Sequence, residues 1–245
     1  MKKIFLTLLA SLFLTVSYSQ VIQSRVLKVD PANVDKFEAA VAKKTKMYNS
    51  KEDQPRWVTF QILTGPNAWN YVRMQIAQSP GEFDKVDKVG NAYWQKTVGP
   101  LHTSEGNSMW QINKEATYSP EPMKRVNHRR IYFYNYKDSG SKDFWRFRNR
   151  IKKSLESLNL DRRVGVMECK SGCNGNWVMV RFHHKDFAGE ADDWKGSKVV
   201  DKYNDLYGED SFREDRDRFN DALMPNGRRV RHTKRMPELS SPWRN

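Results

Sequence analysis

The sequence predicts an α+β fold built from two tandem β-α-β-β-α-β units. Three observations carry that expectation: a gapless internal match between two hairpins, a strand and an amphipathic helix ahead of each, and a helix and closing strand behind each. The stretch "RWVTFQILTGPNAWNYVRMQIAQ" (56–78) lies over "RRVGVMECKSGCNGNWVMVRFHH" (162–184) at a constant offset of 106 positions. Val58 then meets Val164, Phe60 meets Val166, Val72 meets Val178 and Ile76 meets Phe182. Each copy reads as an alternating strand, a glycine-containing turn and a second strand.

The elements follow in chain order. Lys2 and Lys3 precede an apolar run from Ile4 to Val16, too short to cross a bilayer of about 30 Å with margin. Ser17 and Ser19 set small residues before Gln20, the pattern of a secretory signal cleaved near Ser19-Gln20. Cleavage there leaves 226 of the 245 residues. The expectation is an exported protein, periplasmic or extracellular, with no later segment apolar enough to span a membrane.

"SRVLKVD" (24–30) reads as a strand, and Asp30-Pro31 starts a helix whose apolar side is Val34, Phe37, Val41 and Tyr48. The first hairpin comes next, then a helical stretch at 79–98 and a closing strand at 108–116. Residues 20–118 form the first unit. A linker at 119–127, rich in proline and polar residues, leads to the second unit at 128–238 and a tail at 239–245. The second unit repeats the order. It has a strand at 129–137 and a helix begun by Ser139 to Ser141, with Phe144, Phe147, Ile151, Leu155 and Leu158 on one side. The second hairpin, a helical stretch at 198–223 that Gly208 divides, and a strand at 227–235 complete it.

This order is the ferredoxin-like arrangement, present twice. Two such halves of about 100 residues resemble the dimeric α/β-barrel superfamily in its fused form. The resemblance covers nearly the whole mature chain and rests on element order. It implies two antiparallel sheets packed into one barrel with helices outside. The superfamily includes monooxygenases, isomerases and haem-binding enzymes such as the chlorite dismutase group, so the resemblance admits a haem cofactor but selects no chemistry.

Strand alternation sorts side chains by face. In the first hairpin the apolar set Val58, Phe60, Ile62, Val72, Met74 and Ile76 is expected under the helices. Trp57, Thr59, Gln61, Tyr71, Arg73 and Gln75 would then face the barrel. In the second hairpin Val164, Val166, Val178, Val180 and Phe182 are expected under the helices, with Arg163, Met167, Trp177, Met179, Arg181 and His183 inside. On 129–137, Ile131 and Phe133 match the helix side and Tyr132, Tyr134 and Tyr136 the interior. The interior so read is aromatic and basic. It suits an organic anion stacked on Trp57, Tyr71, Tyr132, Tyr134 or Trp177, beside Gln75 and held by Arg73 or Arg181. The alternative is a barrel filled by its own side chains.

His183 is the histidine that this sorting places inside. It is a candidate general acid or base, or an axial ligand for haem. His183 and His184 point to opposite faces and cannot share an ion. His102, His128 and His232 are scattered in sequence, so no metal site is expected. No glycine-rich phosphate loop, G-x-S-x-G elbow or nucleotide fingerprint occurs.

Cys169 and Cys173, in "ECKSGCNGNW", fall at the turn of the second hairpin. A three-residue loop with Gly172 at a positive-φ position sets the two cysteines opposite each other, within disulfide reach. Export would supply the oxidising compartment.

The formal charge is +14. Basic residues gather at 124–130, 146–153 and 228–235, and the last strand carries Arg229, Arg231 and Arg235 on one side. That strand is expected at a sheet edge, either guarding it or contacting an acidic polymer such as a polysaccharide. Nucleic acid is disfavoured for want of a binding motif. Three functions stay open: binding of an organic anion between the sheets, an oxygenase or haem-dependent enzyme, and an envelope protein that holds acidic polymers.

Overall fold

A computed structural model describes residues 20–122 and 125–244. The expected signal segment at 1–19 lies outside the described residues. The strands are β1 (Val21–Lys28), β2 (Arg56–Ile62), β3 (Tyr71–Ala77), β4 (Thr103–Ile112), β5 (His128–Tyr136), β6 (Val164–Ser171), β7 (Asn176–His184) and β8 (Leu223–Arg235). The helices are α1 (Val34–Tyr48), α2 (Lys88–Thr97), α3 (Ser141–Ser157), α4 (Phe187–Asp193), α5 (Val199–Tyr207) and α6 (Ser211–Asp221). Each strand expected from the sequence is present, and Gly208, at φ +105°, separates α5 from α6. The short helix α4 was not expected.

The strands close into one antiparallel barrel in the order β1-β3-β2-β8-β5-β7-β6-β4. Each half contributes four neighbouring strands in ferredoxin-like order. The halves join where β2 meets β8 and where β4 meets β6. The strand expected at an edge is therefore inside a continuous sheet: β8 pairs with β5 along most of its length. Closure removes the edge, so the arginines of β8 need not guard one.

Two repeats built alike should show equivalent pairings. Phe60 pairs with Val72 in the first hairpin, and Met167 with Met179 in the second. Arg25 pairs with Arg73, and Tyr132 with Val180. Every one of these residues is displaced by 107 positions, one more than the best sequence match. A one-residue slip moves every side chain to the other face, and this slip corrects the expected faces of the first hairpin. Ile22, Val58, Phe60, Ile62, Val72 and Met74 lie inside the barrel, clustered with Trp110, Ile131, Phe133, Met167 and Met179. Tyr71 is outside, packed on Phe37 and Val41 of α1 and Trp94 of α2.

The faces of β5 are likewise opposite to expectation. Ile131 and Phe133 point inward. Tyr132, Tyr134 and Tyr136 pack outward against the core of α3, α5 and α6. Tyr134 meets Phe144 and Phe219 edge-on, with ring centroids 6.0 and 5.2 Å apart. The second hairpin follows expectation, with Val164, Val166, Val178 and Val180 under the helices. Both faces of these strands are buried, one by the opposite sheet and one by helices. Apolarity alone therefore does not distinguish inside from outside.

The second half is pinned by a buried carboxylate. Asp215 on α6 accepts from Arg150 of α3 at 2.7 Å and from Tyr203 of α5 at 2.6 Å. In the first half the same function falls to the end of the chain. Residues 239–241, assigned to a tail, are buried. Leu239 joins the core of α1 and α2, and Ser240 Oγ and Ser241 Oγ accept from the Thr59 and Trp57 amides at 2.9 Å. The chain end thus continues the seam along β2 past the short β2–β8 pairing.

Cys169 and Cys173 form a disulfide with Cα atoms 6.3 Å apart. The register differs from expectation. Val164 pairs with Phe182 and Met167 with Met179, so Cys169 is not opposite Cys173 across the ladder. β6 runs on to Ser171, where it pairs with Met109 of β4. Gly172 turns with φ +77° while the backbone of Asn107 leaves no room for a Cβ.

Candidate functional site

Three neighbouring strands of the second half aim a lattice of side chains into the barrel. Arg229 of β8 lies beside Phe133 of β5, which lies beside Met179 of β7. One step along, Arg231, Ile131 and Arg181 form the next row. A further step gives Thr233, Arg129 and His183. The first half supplies the opposite wall from Ser24, Val26, Phe60, Val72, Met74 and Trp110. Between them is a cavity of about 240 Å³, open at the end that carries Glu105, Asn107 and Gly172. The second half brings Arg129, Arg181, Arg229 and Arg231; the facing side is largely apolar, with Arg25 of β1 also on the lining.

Among the described residues the cavity arginines make no ion pair. Among the described residues lining the cavity the one carboxylate is Glu105, at the rim, and it is paired with Lys28 at 2.5 Å. Arg129, 4 % exposed, donates from Nη1 to the carbonyls of Val126 and His128 at 2.6 and 2.9 Å. Arg231 and Arg229 lie over the Phe133 ring at 5.3 and 4.8 Å, and Arg229 also over Trp177 at 4.7 Å. Arg181 has neither hydrogen bond nor ion pair within the described residues, and its Nε is buried. Burial, with Arg163 nearby, pushes Arg181 down to about 9. A guanidinium still keeps its proton at neutral pH. The cavity therefore holds positive charge that carbonyls and aromatic rings offset in part and that no carboxylate among the described residues neutralises. Thr233 Oγ1 is a further buried polar atom without a partner.

Gly165 sits across the ladder from Arg181, and a Cβ at that glycine would lie 3.6 Å from the guanidinium. His183 lies in the deepest of the three rows. Its Nε2 is buried without a partner, and burial together with Arg129, Arg163 and Arg181 holds it well below the usual histidine range. It is a neutral imidazole behind the arginines and does not itself line the cavity.

Of the residues expected to contact a ligand, Arg181 lines the cavity and Trp177 flanks its mouth through Arg229. The remaining six are on the outer face. Tyr71 donates to Glu38 at 2.5 Å. Tyr132 and Tyr134 belong to the helix-side core. Gln75 sits over the outer surface near Arg56 and Glu82. Trp57 and Arg73 come together, but under α1 and α2. There Arg25, Lys44, Trp57, Arg73 and Trp94 surround a second cavity of about 220 Å³. Arg73, 1 % exposed, lies 5.1 Å from Trp57 and 4.8 Å from Trp94, with one Nη unpartnered. Sequence reading missed Arg129, Arg229 and Arg231 as cavity residues. The alternation of Arg229 and Arg231 with Phe133 across the ladder was the available signal, concealed by the expectation of an edge strand.

No protein-family model matches the chain, and no curated protein does. Solved structures do. A protein named as a candidate monooxygenase from Lactobacillus acidophilus NCFM is 10 % identical, with TM-score 0.55, covering 91 % of this chain and 96 % of that one. An anthrone oxidase-like protein is 10 % identical, with TM-score 0.51 and 89 % and 92 % coverage. Chlorite dismutase from Candidatus Nitrospira defluvii, in complex with imidazole, is 6 % identical, with TM-score 0.55 and 90 % and 93 % coverage. The chain has the dimeric α/β-barrel fold in its fused, two-repeat form. At these identities the likeness is one of fold.

Proposed function

We propose that this protein works outside the cytoplasm and takes a small organic anion into its barrel. The carrying observation is Arg181, a half-buried guanidinium with no hydrogen bond or ion pair among the described residues, aimed with Arg229 and Arg231 into a cavity whose facing side is largely apolar. The anionic group of the ligand would meet Arg181 and Arg231, and its ring-sized body would rest on Phe60, Val72, Met74 and Trp110. The disulfide supports an oxidising compartment. Trp57 and Arg73 would hold any anion that enters the separate cavity under α1 and α2.

A second reading makes the same cavity the substrate site of an oxygenase, and the names of the similar structures support it. Haem fits poorly as the cofactor. A cavity of about 240 Å³ is below the roughly 300–1,000 Å³ of ordinary ligand pockets. His183, the expected axial ligand, is behind the arginines, and the outer side of the second sheet is closed by packed rings of Phe144, Phe147, Tyr203 and Phe219. Arg231, and Arg229 at the exposed mouth, point into the barrel. An acidic polysaccharide is therefore the weaker partner.

Titration with monocyclic aromatic carboxylates and sulfonates, followed by calorimetry, tests the binding reading. R181M should weaken the best binder at least about tenfold, the value of one charge-assisted contact. Equal affinity would remove the cavity from consideration. Oxygen uptake with the bound compound separates the two readings: uptake that R181M abolishes supports the oxygenase, and none supports the binding protein.

A further inference from the structure

The outer face of the same strands carries a second constellation. His128 begins β5, His232 lies near the end of β8, and Glu190 comes from α4. Sequence scatters them, but β5 and β8 are neighbours: Arg130 pairs with His232 and His128 with Lys234. The two imidazoles therefore share a face, with rings stacked at 5.6 Å. α4, capped by Asp186 on the Gly189 amide at 2.8 Å, brings Glu190 across them. Glu190 Oε2 is 3.2 Å from His128 Nε2 and 3.1 Å from His232 Nε2. One ligand atom from each residue lies within 4.8 Å of the others.

We propose that His128, His232 and Glu190 form a divalent transition-metal site with an open fourth position. Two imidazoles and one carboxylate are borderline donors suited to zinc, cobalt or ferrous iron, and unsuited to calcium or magnesium. The surroundings hold the ligands as metal sites require. His232 can donate through Nδ1 to Thr64 Oγ1 at 3.2 Å, which leaves Nε2 as the free lone pair. Arg130 meets Glu190 Oε1 at 3.2 Å and steadies the carboxylate, whose Oε1 and Oε2 are each 3.1 Å from His232 Nε2. His184, 2 % exposed, lies 6.2 Å from His128 between ring centroids. It is tied through Nδ1 to Asp193 at 2.7 Å, and its Nε2 is buried without a partner. That orphaned Nε2, beside His128, is a polar group that a metal-bound water could satisfy. Phe187, 4.4 Å from the His128 ring, covers one side.

The site is on the opposite face of β5 and β8 from the arginine cavity, so its test is independent of the proposed anion binding. Tag-free protein is titrated with Co(II), read by visible absorption, and with Zn(II), read by calorimetry. The expected result is one equivalent bound at micromolar affinity or tighter, weakened at least tenfold in E190Q and in H232A. H128A probes a more deeply buried ligand. Should it not fold, H232A and E190Q carry the test. No stoichiometric binding by the wild type would overturn the proposal, and so would undiminished binding by both of those variants.

Discussion

Arg181 shows what one residue can disclose. A half-buried guanidinium whose Nε is buried with no partner among the described residues costs folding free energy, and proteins keep such groups where function needs them. R181M should therefore raise the stability of the ligand-free protein by about 1–2 kcal/mol while it weakens anion binding. A structural arginine would give the reverse, a lower unfolding midpoint in denaturant. His183 makes a different prediction at this scale. Its pKa is held well below the usual 6.5, as those of His102 and His128 are lowered, each chiefly by burial. A histidine with a depressed folded pKa binds its proton in the unfolded chain first. Stability is thus fully present above pH 6.5 and declines as pH falls through that value. Denaturation curves from pH 8 to 5 should show this loss, and H183Q should flatten it. A pH-independent midpoint would contradict the assignment.

At the scale of elements, the hairpins and the chain end matter most. The disulfide closes a very short loop, so C169S/C173S should cost about 2 kcal/mol by the chain-entropy estimate and leave the barrel intact by circular dichroism. The final segment is a structural element, since Leu239 is 2 % exposed and its carbonyl accepts from Thr59 and Arg73 at 2.9 and 3.1 Å. L239A should cost about 2–4 kcal/mol, as for other buried leucines; a change under 0.5 kcal/mol would show the segment to be dispensable. Nearly every strand and helix was legible from periodicity and turn residues. Their faces were half legible. The valines of 164–182 reported a helix-facing side, but Val58, Val72 and Met74 reported the interior with the same alternation. A sheet buried on both sides does not label them.

For the whole molecule, the pair of halves was legible from the repeat at offset 106, and closure from resemblance. Function was less legible because it depends on which strands become neighbours. Arg231 and Arg181 are 50 positions apart, yet flank Ile131 in one row. His128 and His232 meet for the same reason. In the cavity, most of the arginines come from the second half and most of the apolar lining that faces them from the first. The surplus positive charge of the chain is in part interior, which directs attention from acidic polymers to small anions.

The barrel interior is the proposed anion site. Calorimetric titration of an aromatic carboxylate into wild-type protein and R181M/R231M tests it most directly. Saturable binding of one equivalent is expected, weakened by salt and reduced a hundredfold or more in the variant. Binding of equal strength in both proteins, or none in the wild type at millimolar carboxylate, would contradict it.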